Sequence, residues 1–190
     1  MTATLKIPVK DLSQEMLADI RQKYGNAMLE ITRPAEAEPG GLGEEGFWDI
    51  VGLFDWSKAG DDRAVVEPAV QALSQMPVSA IYRFADLLSE KLYALDGEKY
   101  ARQIGEDAWK GEDHFFSVDH FLYARCCVIA NGREAFEIVL DDPAAMPKDL
   151  TFEGLLFISP EAYRQKTGKN FNYLPLFTME TFSNQTAWEN

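Results

Sequence analysis

Sixteen consecutive residues set the strongest constraint on this chain. From Ser117 to Gly132 it reads SVDHFLYARCCVIANG, an almost wholly apolar run with one arginine, Arg125, at its centre. Serine at its head is a helix N-cap, and glycine at its end supports a left-handed stop. An apolar helix of this kind has no face suited to water, so it lies at the middle of a helical core. A charge in that setting needs a partner, because desolvating it without one costs several kcal/mol, on the order of a domain's entire stability. Arg125 therefore either pairs with a buried carboxylate, with Asp96, Asp86 and Asp49 as candidates, or lines a pocket that takes an anion or a partner group.

The rest of the chain is consistent with such a core. Val65, Val66, Val70 and Leu73 fall at helical spacing behind Asp61-Asp62, with Pro68 predicting a kink or a new start. Ile81, Phe84, Leu88, Leu92 and Leu95 form the best apolar stripe of the sequence. Phe47, Trp48, Ile50, Val51 and Phe54 mark a short helix, and Arg133–Leu140 another. Ser159-Pro160-Glu161 reads as an N-cap with proline in the first turn, and Gly168 closes that helix. Residues 171–190 carry Phe171, Tyr173, Phe177, Phe182 and Trp188 without period, which predicts an extended tail laid over the helices.

The first 33 residues read differently. Leu5, Ile7 and Val9 alternate with polar neighbours, Ser13 caps a helix through Met16, Leu17, Ile20 and Tyr24, and residues 27–32 again have strand character. The expected architecture is thus mainly α, about seven to nine helices in one domain over residues 47–190. A small β-α-β arm at 1–33 precedes it, joined by a Pro, Gly and Glu linker at 34–46. Two strands and one helix leave faces uncovered, so the arm is expected to pack on the body or to form a homodimer with a second copy.

Charge narrows the partners. The net charge of −13 is confined to the residues after the arm: residues 1–33 hold five basic and four acidic side chains, and the remaining chain thirteen and twenty-seven. Such a surface repels phosphate backbones and argues against nucleic acid; it favours a basic protein partner. No apolar run reaches the roughly 18 residues that span a membrane. No basic-then-apolar leader opens the chain, and the two cysteines, Cys126 and Cys127, are adjacent and ill placed to bridge each other. A reduced, cytoplasmic protein is expected.

Chemistry-bearing motifs are sparse. His114 and His120, with Asp113 and Asp119, match no metal signature, and no metal or cofactor is expected. Asp119 occupies the first turn of the core helix, where an acid suits the dipole. The alternative is that Asp119, His120 and Arg125 together line a site for a small anionic ligand or a reaction. Gly40-Gly41-Leu42-Gly43 lacks the lysine and serine of a phosphate loop and reads as a hinge. Cys126 and Cys127, deep in the apolar helix, read as packing groups.

Phe47-Trp48, the helix around Phe84, and the series Asp119, Phe121, Tyr123, Arg125, Val128-Ile129, Gly132, Phe136 and Asp142-Pro143 together resemble a bacterial family described as domain of unknown function 4240. Val118 stands where that family has an additional acid, and Cys127 where it has a tryptophan. The likeness covers most of residues 46–168 and implies a small soluble bacterial protein with no known reaction. The N-terminal arm is similar to pieces of bacterial accessory and antitoxin-like proteins. The expected function is a non-enzymatic interaction module whose acidic surface meets a basic partner, as an immunity protein would.

Overall fold

The computed structural model describes residues 13–25 and 41–189. Two compact units divide the chain, residues 1–37 and 38–190. In the first, α1 (Gln14–Tyr24) is capped by Ser13, whose hydroxyl accepts the Met16 amide at 3.1 Å.

The second unit is built from eight α-helices among the described residues: α2 (Glu44–Val51), α3 (Asp62–Gln75), α4 (Val78–Ala94), α5 (Glu98–Ala101), α6 (Val118–Ala130), α7 (Arg133–Asp141), α8 (Ile158–Thr167) and α9 (Gln185–Trp188). Helix α6 is the central rod. It is buried from Phe121 to Ala130 save Tyr123, as its all-round apolar sequence demands, and Ser117 caps it by accepting the His120 amide. Helix α4 packs on α6 and α8 and buries Ile81, Phe84, Leu88 and Leu92, and α3 packs along α8. No described helix is long and apolar enough to cross a membrane.

The mainly helical body agrees with the sequence, but the β-α-β arm has to be corrected. No strand occurs among the described residues, and of the arm only its helix is present there. The two expected strands, at 2–10 and 27–32, lie outside the described residues. A strand is stabilised by a ladder partner, and local alternation over a few residues cannot supply one.

Two helix boundaries also differ from expectation. Helix α2 begins at Glu44, inside the stretch read as linker, because Glu44 and Glu45 suit the positive end of the helix. Ser159 is not a cap: a 3-10 turn over Gly154–Phe157 runs straight into α8 and places Ser159 within it. Helix α3 passes through Pro68 without a new start.

Candidate functional site

Arg125 is fully buried on α6, and what meets it is the C-terminal tail. Nη1 donates to the carbonyl of Leu92 at 2.8 Å; Nη2 donates to the carbonyl of Met179 at 3.0 Å and to Thr181 Oγ1 at 3.1 Å. The Phe121 ring lies 4.8 Å under the guanidinium. No described carboxylate oxygen lies within 4 Å of it. Burial pulls the arginine below its ordinary value, and the charge of Asp96 opposes that. Nε has no hydrogen-bond partner among the described residues.

Asp96 and Asp86, two of the carboxylates considered for Arg125, are instead spent on the tail. Asp96 is fully buried just beyond α4. It accepts from the Phe182 amide (3.2 Å), Ser183 Oγ (3.2 Å), the Asn184 amide (2.9 Å) and the Trp188 indole (2.9 Å). Asp86, on α4, accepts from the Tyr173 hydroxyl with both oxygens and from the Leu176 amide. Ser89, one turn on, accepts the Phe177 amide. Asp49 is exposed on α2. The buried polar groups of α4, of the turn just beyond it and of α6 thus form a clamp that holds the tail by both its main chain and its side chains. Trp188 completes the closure against Phe121, Phe182 and Trp109. Gly97 is required beneath it, since a Cβ there would stand 2.9 Å from that of Ala187.

The other two expected site residues lie elsewhere. Asp119 is exposed, and His120 is half-buried with Nδ1 3.8 Å from Asp107. They flank the loop 105–116, which carries Glu106, Asp107, Glu112 and Asp113 around Phe115, a residue 95% exposed. The structure therefore brings Asp119 and His120 to one acidic surface and Arg125 to the tail clamp. No group of three or more His, Cys, Asp or Glu fit to hold a metal occurs among the described residues. Burial pushes the Cys126 thiol up to about 12 and raises that of Cys127.

Two arrangements were not read from the sequence. Lys91, on the otherwise apolar stripe of α4, is buried among the rings of Trp48, Phe136 and Phe47, 5.0, 5.2 and 5.6 Å away, and bonds Glu44 at 2.6 Å. That contact holds the Glu44 carboxyl below its ordinary range. A lysine where the helical pattern calls for a hydrophobe was the available signal. The second is an open recess of about 550 Å³ between α4, α8 and the start of the tail, lined by Tyr82, Tyr163, Gly168, Lys169, Asn170, Asn172 and Tyr173. Arg125, Asp119 and His120 do not line it.

The model of a family described as "Protein of unknown function (DUF4240)" matches residues 42–165. The chain belongs to this family. The matched DUF4240 segment contains the Phe47-Trp48 pair that encloses Lys91, the whole of α6, and the clamp residues Asp86, Asp96 and Arg125; the tail they hold follows it. No curated protein and no solved structure matches the chain. The likeness of the N-terminal arm to antitoxin-like pieces gains no support, since no strand stands among the described residues.

Proposed function

We propose that this DUF4240 protein is a non-enzymatic interaction module that receives a basic protein partner on its acidic loop surface. The observation that carries the reading is Phe115: a large apolar side chain, 95% exposed, on a loop whose sequence carries Glu106, Asp107, Glu112 and Asp113 and leads to Asp119. An aromatic anchor with a charged rim is the pattern of a binding hot spot, the ring supplying affinity and the carboxylates steering encounter. The clamp on Arg125 supports the same reading, because it closes that arginine off with protein groups. The alternative, a ligand site or enzyme made of Arg125, Asp119 and His120, would need all three in one recess, and they face different surroundings.

The test is to isolate the partner with the full chain as bait and then measure its association at several salt concentrations. The association rate should fall steeply with salt, and Phe115→Ala should weaken binding at least tenfold while leaving thermal stability unchanged. A salt-independent rate, or equal binding by the variant, would refute the proposal. A second reading concerns self-association through residues 1–33. Helix α1 buries no residue and exposes Met16, Leu17 and Tyr24. Light scattering should give a dimer for the full chain and a monomer for Leu17→Glu; a monomer for both overturns it.

A further inference from the structure

We propose that the recess between α4, α8 and the start of the tail binds a small acidic sugar, a hydroxylated ring bearing a carboxylate or a phosphate. Its volume of about 550 Å³ is in the range of small-molecule sites. Its wall is preformed. Tyr82 stacks on Tyr173 at 4.3 Å and 9° and on Tyr163 at 5.8 Å and 23°. Tyr173 is fixed at its far end by both oxygens of the buried Asp86. Hydrogen bonding of the Tyr82 hydroxyl to Tyr163 holds the Tyr82 phenol above its ordinary value. A fixed aromatic wall packs against the apolar part of a sugar at little ordering cost, and its phenol hydroxyls add polar groups.

The rim supplies polar recognition. Asn170 and Asn172 are exposed and alternate with Phe171 and Tyr173, which turn to the aromatic cluster. The two carboxamides hold no hydrogen bond to the described residues, and each offers a donor and an acceptor of the kind that pairs with neighbouring hydroxyls. Charge selects the acid. In a chain of net charge −13, residues 158–173 carry Arg164, Lys166 and Lys169 against Glu161 alone. Glu161 is occupied by Arg63 and Arg164, and Lys166 Nζ by the Ser74 carbonyl. Lys169 lines the recess and its ammonium has no partner among the described residues, which leaves a point charge available to an anion. The rim residues Lys169, Asn170 and Asn172 lie beyond the matched 42–165, whereas Tyr82 and Tyr163 of the wall lie within it.

Isothermal titration of the full chain with glucose 6-phosphate, glucuronate, glucose and inorganic phosphate tests the assignment. At least one of the two acidic sugars should bind at least tenfold more tightly than both glucose and phosphate, and which one binds tells phosphate from carboxylate. Lys169→Glu, Lys169→Gln and the Asn170→Ala/Asn172→Ala pair should each weaken it at least tenfold, whereas Phe115→Ala should leave it unchanged. The assignment is overturned if neither acidic sugar binds, if phosphate alone binds as tightly, or if the lysine variants bind like the wild type.

Discussion

Replacing Asp96 by asparagine keeps the shape of the side chain and removes its charge, and the consequence can be worked out bond by bond. Oδ1 accepts from the Phe182 amide and the Trp188 indole, and Oδ2 from Ser183 Oγ and the Asn184 amide. An asparagine has one acceptor oxygen, so one pair of donors must face its NH2. The cheaper arrangement puts NH2 at the Oδ2 position. There the Ser183 hydroxyl can turn its single proton to the Thr178 or Glu180 carbonyl, both within reach, and accept from the NH2. Only the Asn184 amide is then left unmade, at about 1.5–3 kcal/mol for a bond to a charged group. The two bonds kept at Oδ1 fall from charged to neutral strength, about half, which adds roughly 1–2 kcal/mol. The total is about 2.5–5 kcal/mol, near the upper end of single substitutions. For a domain of this size that is a loss of roughly 5–20 °C in Tm. Urea unfolding followed by tryptophan fluorescence measures it, with Asp119→Asn on the exposed first turn of α6 as the control, expected within about 0.5 kcal/mol of wild type. If Asp96→Asn also lies within 0.5 kcal/mol, the tail is not held by this carboxylate and the clamp is misread.

Three further outcomes follow from the same geometry. Gly105 sits at φ 105°, and a Cβ there would fall 2.0 Å from Asp149 Oδ1, which accepts the Glu106 amide; Gly105→Ala should cost about 2–4 kcal/mol in chemical denaturation, and a neutral result would contradict the placement of Asp149. With its thiol at about 12, Cys126 is ionised to about one part in ten thousand at pH 8, so a thiol reagent should leave it unmodified in the native protein and react with two thiols only after denaturation; rapid native labelling would refute the burial. Lys91 depresses the Glu44 carboxyl, so this contact stabilises the fold above the ordinary glutamate value of about 4.3 and is lost as pH falls through the lower folded-state value. Glu44→Gln should therefore be less stable than wild type at pH 7, with the difference shrinking toward pH 3; a constant difference across that range would remove Lys91 as the cause.

The sequence by itself determined the elements whose signals are local. The core helix, its Ser117 cap, the apolar stripe of α4 and the stop at Gly168 depend on spacings of three or four residues and on backbone preference, and all are present. The family was also legible, because Phe47-Trp48 and the α6 series lie at recognisable intervals. Tertiary structure alone decided what those elements face. Arg125 had three carboxylates to choose among by charge, yet the Leu92 carbonyl of α4 and one carbonyl and one hydroxyl of an aperiodic tail more than fifty residues away meet it, and two of the aspartates hold that same tail. No periodicity encodes a main-chain acceptor, since every residue has one, so sequence could name the buried arginine and not its partner. Ser159 shows the converse: its local cap signal was real, but the 3-10 turn packed against α3 already continues into the helix. The recess, too, exists only because Tyr82 and the segment 163–173 are folded against each other from opposite halves of the domain.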